Sequence, residues 1–231
     1  GGTITISNLG MYDVDAFTAS LDGRVSENAM LSHDLFEGLF ARCALVSDVE
    51  LVDDFPSSVL THARRQHRWV RGDWQILCYL LPLVPTRHGF VRSRLPLISR
   101  WKILDNLRRS LVAPALIALL VSAWTWLPGA PLEWTLAVLA VLGFPLLPPL
   151  VHAAAGPRPQ QPLAVFASDV GDELQTAGAQ TVLQTTLLAY QAGEMLHAVT
   201  LTLVRMVIPQ RRLLEWEPAA ARAARRAGLR A

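Results

Sequence analysis

The sequence predicts an α/β domain followed by α-helical transmembrane and interfacial segments. Three observations carry this. Strand-like and helix-like patterns alternate through the first 85 residues, the order of an α/β domain. Two later runs, SLVAPALIALLVSAWTWL (110–127) and WTLAVLAVLGFPLLPPLV (134–151), hold no charge and approach the roughly 20 apolar residues that cross a bilayer. The composition agrees, with 52% hydrophobic and only 17% charged residues, fewer charges than an ordinary soluble domain carries.

The elements follow in order. TITI (3–6) reads as a strand, and Asp15–Leu21 as a short helix. Asp13 and Asp15 in YDVDAF invite a metal assignment, but turn and capping roles suit acids that enter a helix better. SHDLFEGLFARC (32–43) reads as a helix, with Ser32 at its N-cap and Leu35, Phe36, Leu39 and Phe40 at helical spacing. ALVSDVELV (44–52) reads as a strand, broken by Asp54 and Pro56. Ser57 or Ser58 then caps a helix that carries RRQHRWVRGDWQ (64–75) and runs on into WQILCYLLPLV (74–84).

The domain boundaries expected are 1–85, a cytosolic domain with an interfacial helix; 86–155, a basic juxtamembrane segment and two transmembrane helices; and 156–231, a linker, an amphipathic or third membrane helix, and a basic tail. The start, GGTITISNLGMYDVD, lacks the basic residues and apolar run of a signal peptide. It reads as the middle of a domain, so the chain is expected to be a fragment of a longer polypeptide. Cys43 and Cys78 form no metal-type pair and read as reduced thiols facing a cytosol.

Trp124, Trp126 and Trp134 cluster at LPGAPLEW (127–134), where an aromatic belt belongs. The alternative is a buried helical hairpin of a soluble protein. Arg87, Arg92, Arg94, Arg100, Lys102, Arg108 and Arg109 precede the first run with Asp105 as their one acid, and the loop between the runs has no Lys or Arg. The positive-inside rule therefore places the first part in the cytosol, on an inner, multi-pass membrane. After GPRPQQP (156–162), a helical segment at about 179–208 carries the polar stripe Gln184, Gln191, Glu194, His197 and Arg205, which fits an interfacial helix or a span facing other helices. The tail AAARAARRAGLRA (219–231) reads as a basic helix end.

RRQHRWVRGDWQ crowds arginines, a histidine and two tryptophans around one glycine. Arginine forks grip phosphate oxygens in pairs, and an indole face stacks on a sugar ring, a mix that suits a pyrophosphate beside a sugar. The same stretch also suits a juxtamembrane helix that touches anionic lipid through arginines and tryptophans, and Trp74 reads as an anchor at the membrane surface. Nucleic acid is disfavoured, because the net charge is only +2 and the arginines border the apolar runs. No P-loop, GxGxxG, HExxH or paired CxxC is present.

Asp34, in SHD at a helix start, can act as a general base; taken alone it equally serves as an N-terminal helix charge. The pairing of SHD (32–34) with RQHRW (65–69) resembles processive family-2-like glycosyltransferases, in which cellulose, chitin and hyaluronan synthases carry Thr-Glu-Asp and then Gln-x-x-Arg-Trp. YDVDAF (12–17), ENAMLSHDLFEG (27–38), ARCALVSDVELVDDFPSS (41–58), RRQHRWVRGDWQ (64–75) and RRLLEW (211–216) resemble more closely the glycosyltransferase region of cyclic β-1,2-glucan synthases.

The resemblance implies a GT-A-like domain, of which this chain holds the C-terminal part. It implies that Asp34 is the catalytic base and that Arg65, Gln66, Arg68 and Trp69 hold donor and acceptor, with His33, Glu37 and Arg71 as supporting side chains. Arg65 stands where the wider superfamily has glutamine, with Gln66 one step later. The reaction implied is inverting transfer from UDP-glucose to a growing β-1,2-glucan, with Mg2+ or Mn2+ in the full-length enzyme. No ligands for that metal are identified in this chain, and none of its residues is assigned to metal. Implied partners are UDP-glucose, a glucan acceptor, the lipid bilayer and the remaining domains of a larger synthase. The alternative is a non-enzymatic membrane protein whose basic, Trp-rich helix binds anionic lipid or a partner.

Overall fold

A computed structural model describes residues 4–7, 10–24, 34–41, 58–86 and 89–208. The first strands, β1 (Ile4–Ser7) and β2 (Gly10–Asp13), pair antiparallel with Ile4 opposite Asp13. Helix α1 (Val14–Leu21) starts under Asp13, whose Oδ1 accepts the Ala16 N–H at 2.9 Å. The capping reading of Asp13 is thus correct, and Asp15 lies in the first turn, where a negative charge offsets the exposed N–H dipoles.

Helix α2 (Asp34–Ala41) follows, then α3 (Val59–Gln75). Ser58 has the extended backbone of an N-cap, but its side chain makes no capping hydrogen bond. The expected strand at 44–52, together with Ser32, His33 and Cys43, lies outside the described residues.

The expected run of α3 into WQILCYLLPLV is corrected. The helix stops at Gln75, a 3-10 turn spans Leu77–Leu80, and β3 (Leu83–Thr86) pairs antiparallel with β4 (Gly89–Arg92). Pro82 and Pro85, which have no N–H, keep the chain beyond the 3-10 turn from resuming a helix. Among the described residues the fold is mainly helical, and its strands are confined to these two antiparallel pairs.

Two compact units divide the chain. The first takes its described residues from Gly1–Ser110 and from Glu194 onward. Its core is Phe36, Ile76, Tyr79, Val84, Ile103 and Leu107. Phe36 is fully buried, with ring centroids 4.9 Å from Phe40 and 4.7 Å from Tyr79, so α2 is fixed to the turn that ends α3. Helix α4 (Leu97–Thr125) contributes Ile103, Asn106, Leu107 and Ser110 to this unit, positions that recur on one helical face.

The second unit is Leu111–Gly193. It contains the rest of α4, α5 (Pro131–Leu142), α6 (Leu147–Ala155) and most of α7 (Leu163–Val207), with Leu116, Val138, Leu142 and Leu188 as its core. The expectation of a helix from about 179 is corrected, because α7 already begins at Leu163. Gly171 and Gly178 weaken the helical pattern there, at about 1 kcal/mol each, but strong helix formers such as Glu173, Leu174 and Ala177 surround them. The helix does not qualify as an apolar span.

By length and composition, α4 is long and apolar enough to cross a membrane. Only 22% of its most apolar window is buried, which disfavours the soluble-hairpin alternative, since a soluble core helix hides that surface. The second expected span is not one straight helix. It breaks into α5 and a segment from Phe144 to Ala155, bent by 51°, because Pro145, Pro148 and Pro149 interrupt the N–H ladder. Trp124 and Trp134 are tied at the connecting turn, through Trp124 Nε1–H to Thr135 Oγ1 at 3.1 Å and Trp134 Nε1–H to the Pro128 carbonyl at 3.2 Å.

Candidate active site

Helix α3 sorts its side chains by face. At about 100° per residue, His67, Val70, Arg71 and Trp74 share one side, and Arg65, Arg68 and Trp69 the other. The first side packs. Val70 joins Met195, Ala198 and Val199 of α7 in a buried cluster. Arg71 is buried too, only 6% exposed, and so lies away from the face of Arg65, Arg68 and Trp69.

Trp74 does not serve as the membrane anchor expected from the sequence. It is half-buried, donates its indole N–H to Ser110 Oγ at 2.9 Å, and packs against both the main core and the Val70 cluster. One turn earlier on α4, Asn106 Nδ2 donates to Asp73 Oδ1 at 2.8 Å. These two bonds and the apolar contacts hold α3 between the start of α4 and the end of α7. An indole N–H buried in protein must find an acceptor, and Ser110 supplies it.

The opposite face is half-buried at Arg65 and Arg68 and exposed at Trp69. Trp69 is 41% exposed, and the Arg65 guanidinium lies over its ring with Cζ 4.7 Å from the centroid, a cation–π pair one turn apart. Arg68 shares this side by helical register. Gln66 sits about 100° from Arg65, about 160° from Arg68 and about 60° from Trp69. Of the two residues that compete for the usual glutamine's place, Arg65 therefore groups with both Arg68 and Trp69, and Gln66 borders Trp69 alone.

Asp34 is exposed at the first position of α2, and Glu37 is half-buried in the same first turn. Phe36, between them in sequence, is the anchor that fixes this turn in the core. His33 lies outside the described residues.

Three groups escaped the sequence reading. His67 Nε2 and His197 Nδ1 lie 2.9 Å apart. Burial, then the nearby His197 and Arg71, push the His67 pKa down to about 4, so its ring is neutral near pH 7. Nothing local in the sequence joins two histidines 130 positions apart. Tyr79 donates its hydroxyl to the Arg24 carbonyl at 3.0 Å, and its burial raises its pKa. In the second unit a polar cavity of about 390 Å³ is lined by His152, Arg158, Gln161, Asp169, Asp172 and Glu173, with His152 Nδ1 3.0 Å from Glu173 Oε2. Among the described residues, no three His, Cys, Asp or Glu side chains gather as a metal site.

No protein-family model matches the chain. Over 223 residues, 95% of its length, it is 38% identical to the cyclic beta-(1,2)-glucan synthase NdvB of Rhizobium meliloti (strain 1021). It spans only 8% of the length of that curated relative. The resemblance first visible in SHD, RQHRW and the blocks around them therefore extends across nearly the whole chain, and these residues are homologous to one region of a cyclic β-(1,2)-glucan synthase.

Proposed function

We propose that this region is the C-terminal part of a GT-A-like, membrane-bound inverting glucosyltransferase that transfers glucose from UDP-glucose to a growing β-1,2-glucan. The observation that carries the reading is the face of α3. Arg65, Arg68 and Trp69 share one side of a helix whose other side is pinned by Val70 and Trp74, in a chain 38% identical to a glucan synthase.

In this reading Asp34 takes the proton from an acceptor glucose hydroxyl. The hydroxyl oxygen bonds to the anomeric carbon as the bond from that carbon to the UDP oxygen breaks, and UDP leaves with the electron pair. Arg65 and Arg68 hold the negative charge that grows on the departing diphosphate. Trp69, 41% exposed, offers its ring to a sugar. Gln66, Glu37, Arg71 and His33 act in support, Arg71 from within the packing of α3.

A divalent Mg2+ or Mn2+ would supply further neutralisation of the diphosphate. The described residues do not bring together ligands for it, so no step is assigned to it. Helix α4 and the bent α5–α6 segment are the membrane spans in this reading, with the first unit on the cytosolic side by the arginine bias before α4.

The test is Asp34→Asn in a synthase that carries this region. Glucan synthesis is expected to vanish while membrane insertion, read by carbonate extraction, stays intact. Wild-type rates would end the assignment of Asp34 as base. The 231-residue chain alone, given UDP-glucose and manganese, is expected to make no glucan, because it spans only 8% of the length of the glucan synthase it matches; robust product would overturn that.

A further inference from the structure

Helix α3 meets the last turns of α7 through two kinds of contact. Val70 against Met195, Ala198 and Val199 is apolar. Such packing sets the distance between helices but is non-directional and tolerates some rotation. The second contact is directional. His67 Nε2 and His197 Nδ1 are 2.9 Å apart, while the ring centroids are 5.1 Å apart. The centroid separation exceeds the nitrogen separation by about two ring radii, so the two nitrogens point head-on at each other. That is the geometry of a straight hydrogen bond.

It is a poor geometry for a metal. Zinc needs about 2.0–2.1 Å to each nitrogen, with the two bonds meeting near the tetrahedral angle. A head-on pair at 2.9 Å leaves no such place. What fits between the rings is one proton: one nitrogen donates and the other accepts.

We propose that His197 is a positioning residue for the Arg65–Trp69 face, fixing the rotation of α3 against α7 through a single proton shared with His67, alongside the Trp74–Ser110 and Asp73–Asn106 bonds that hold α3 to α4. The proposal rests on the donor-site reading of that face. His67 lies between Gln66 and Arg68 in the chain, about 100° round the axis from Arg68 and about 160° from Trp69. Turning α3 about its axis to break the histidine contact would swing both out of place by the same angle. A misplacement of about 1 Å at such a site costs roughly a hundredfold in rate.

The contact survives while no more than one proton sits between the facing nitrogens. A second proton sets donor against donor. The charges near the pair are Arg64 and Arg71, one turn either side of His67 on α3, and Glu194, one turn before His197 on α7. Burial, then His197 and Arg71, disfavour a proton on His67, whose pKa falls to about 4, so the latch holds through neutral pH and opens in acid.

The conservative replacements follow from atom positions. An asparagine amide places a donor or acceptor near Nδ1, so His197→Asn retains the bond and His197→Ala removes it. Hydrogen exchange of residues 64–71 is measured on the 231-residue chain in lipid nanodiscs, and KM for UDP-glucose and kcat on a synthase carrying this region. A single neutral hydrogen bond is worth about 0.5–1.5 kcal/mol, or roughly 2- to 10-fold.

His197→Ala is expected to speed exchange in 64–71 and raise KM by that factor, with kcat lowered as well. His197→Asn is expected to stay within about twofold of wild type and to flatten the acid limb of the pH profile, which simple loss of packing would not do. Unchanged exchange in His197→Ala, or no rescue by asparagine, overturns the proposal. So does faster exchange with KM and kcat untouched. If the synthase shows no use of UDP-glucose but exchange responds and asparagine rescues it, the donor-site reading fails and the latch on α3 stands.

Discussion

Arg65 and Gln66 compete for one job, and the helix separates them. Arg65 shares a face with Arg68 and Trp69 and stacks on Trp69 at 4.7 Å; Gln66 is about 100° round the axis. A charge-assisted hydrogen bond to phosphate is worth about 1.5–3 kcal/mol. The exposed cation–π pair adds about 0.5–1 kcal/mol to the order of the side chain. Arg65→Ala should therefore weaken UDP binding by about 10- to 100-fold. Arg65→Lys keeps the charge but loses the planar fork, and should fall between. Gln66→Ala should change affinity by less than about twofold, since a surface change away from the ligand stays within about 0.5 kcal/mol. Calorimetry with UDP on a synthase carrying this region reads all three. The face assignment is refuted if Gln66→Ala costs as much as Arg65→Ala, or if Arg65→Ala binds UDP like wild type.

Further expectations concern the scaffold. Phe36→Ala empties a fully buried site and should cost about 3–5 kcal/mol, seen as a lowered unfolding midpoint by circular dichroism; a loss under about 1 kcal/mol would contradict the role of Phe36 as the anchor of α2. His67 has its folded pKa lowered to about 4 from an ordinary 6.5. The unfolded chain therefore binds that proton more readily, so its contribution is full above about pH 6.5 and is lost as pH falls toward 4. For a half-buried ring, discounted for solvent, that amounts to about 1 kcal/mol. His67→Gln, which cannot titrate, should lack this part of the acid destabilisation, and an identical acid profile in wild type and variant would rule it out. Burial also raises the Cys78 thiol to about 11. In a Cys43→Ser background, alkylation by iodoacetamide at pH 8 should run about 100-fold slower than for a free thiol; a rate matching free cysteine would show the site to be open.

Much of the candidate site was legible because it is local. Asp13 as a cap, Asp34 in the first turn of a helix, and RQHRW on a helix all follow from patterns a few residues long. The homology was legible for the same reason, in contiguous blocks such as ENAMLSHDLFEG. What misled was also local. The apolar run 74–84 looks helical, yet the helix ends at Gln75 and Pro82 stands just before a strand, and α7 looks late because two glycines dilute its early pattern. The second apolar run counts as one span by composition, yet its three prolines bend it.

The sequence by itself determined that α1, α2 and α3 are helical, that the run entering α4 is apolar enough to cross a membrane, and that the chain is homologous to a region of a glucan synthase. Only the tertiary structure decided how α3 is turned. That rotation is set by Trp74 on Ser110, Asp73 on Asn106 and His67 on His197, partners 33 to 130 positions away. Helical periodicity fixes which side chains share a face, but not which face is covered, because that depends on what the chain folds back to pack against it.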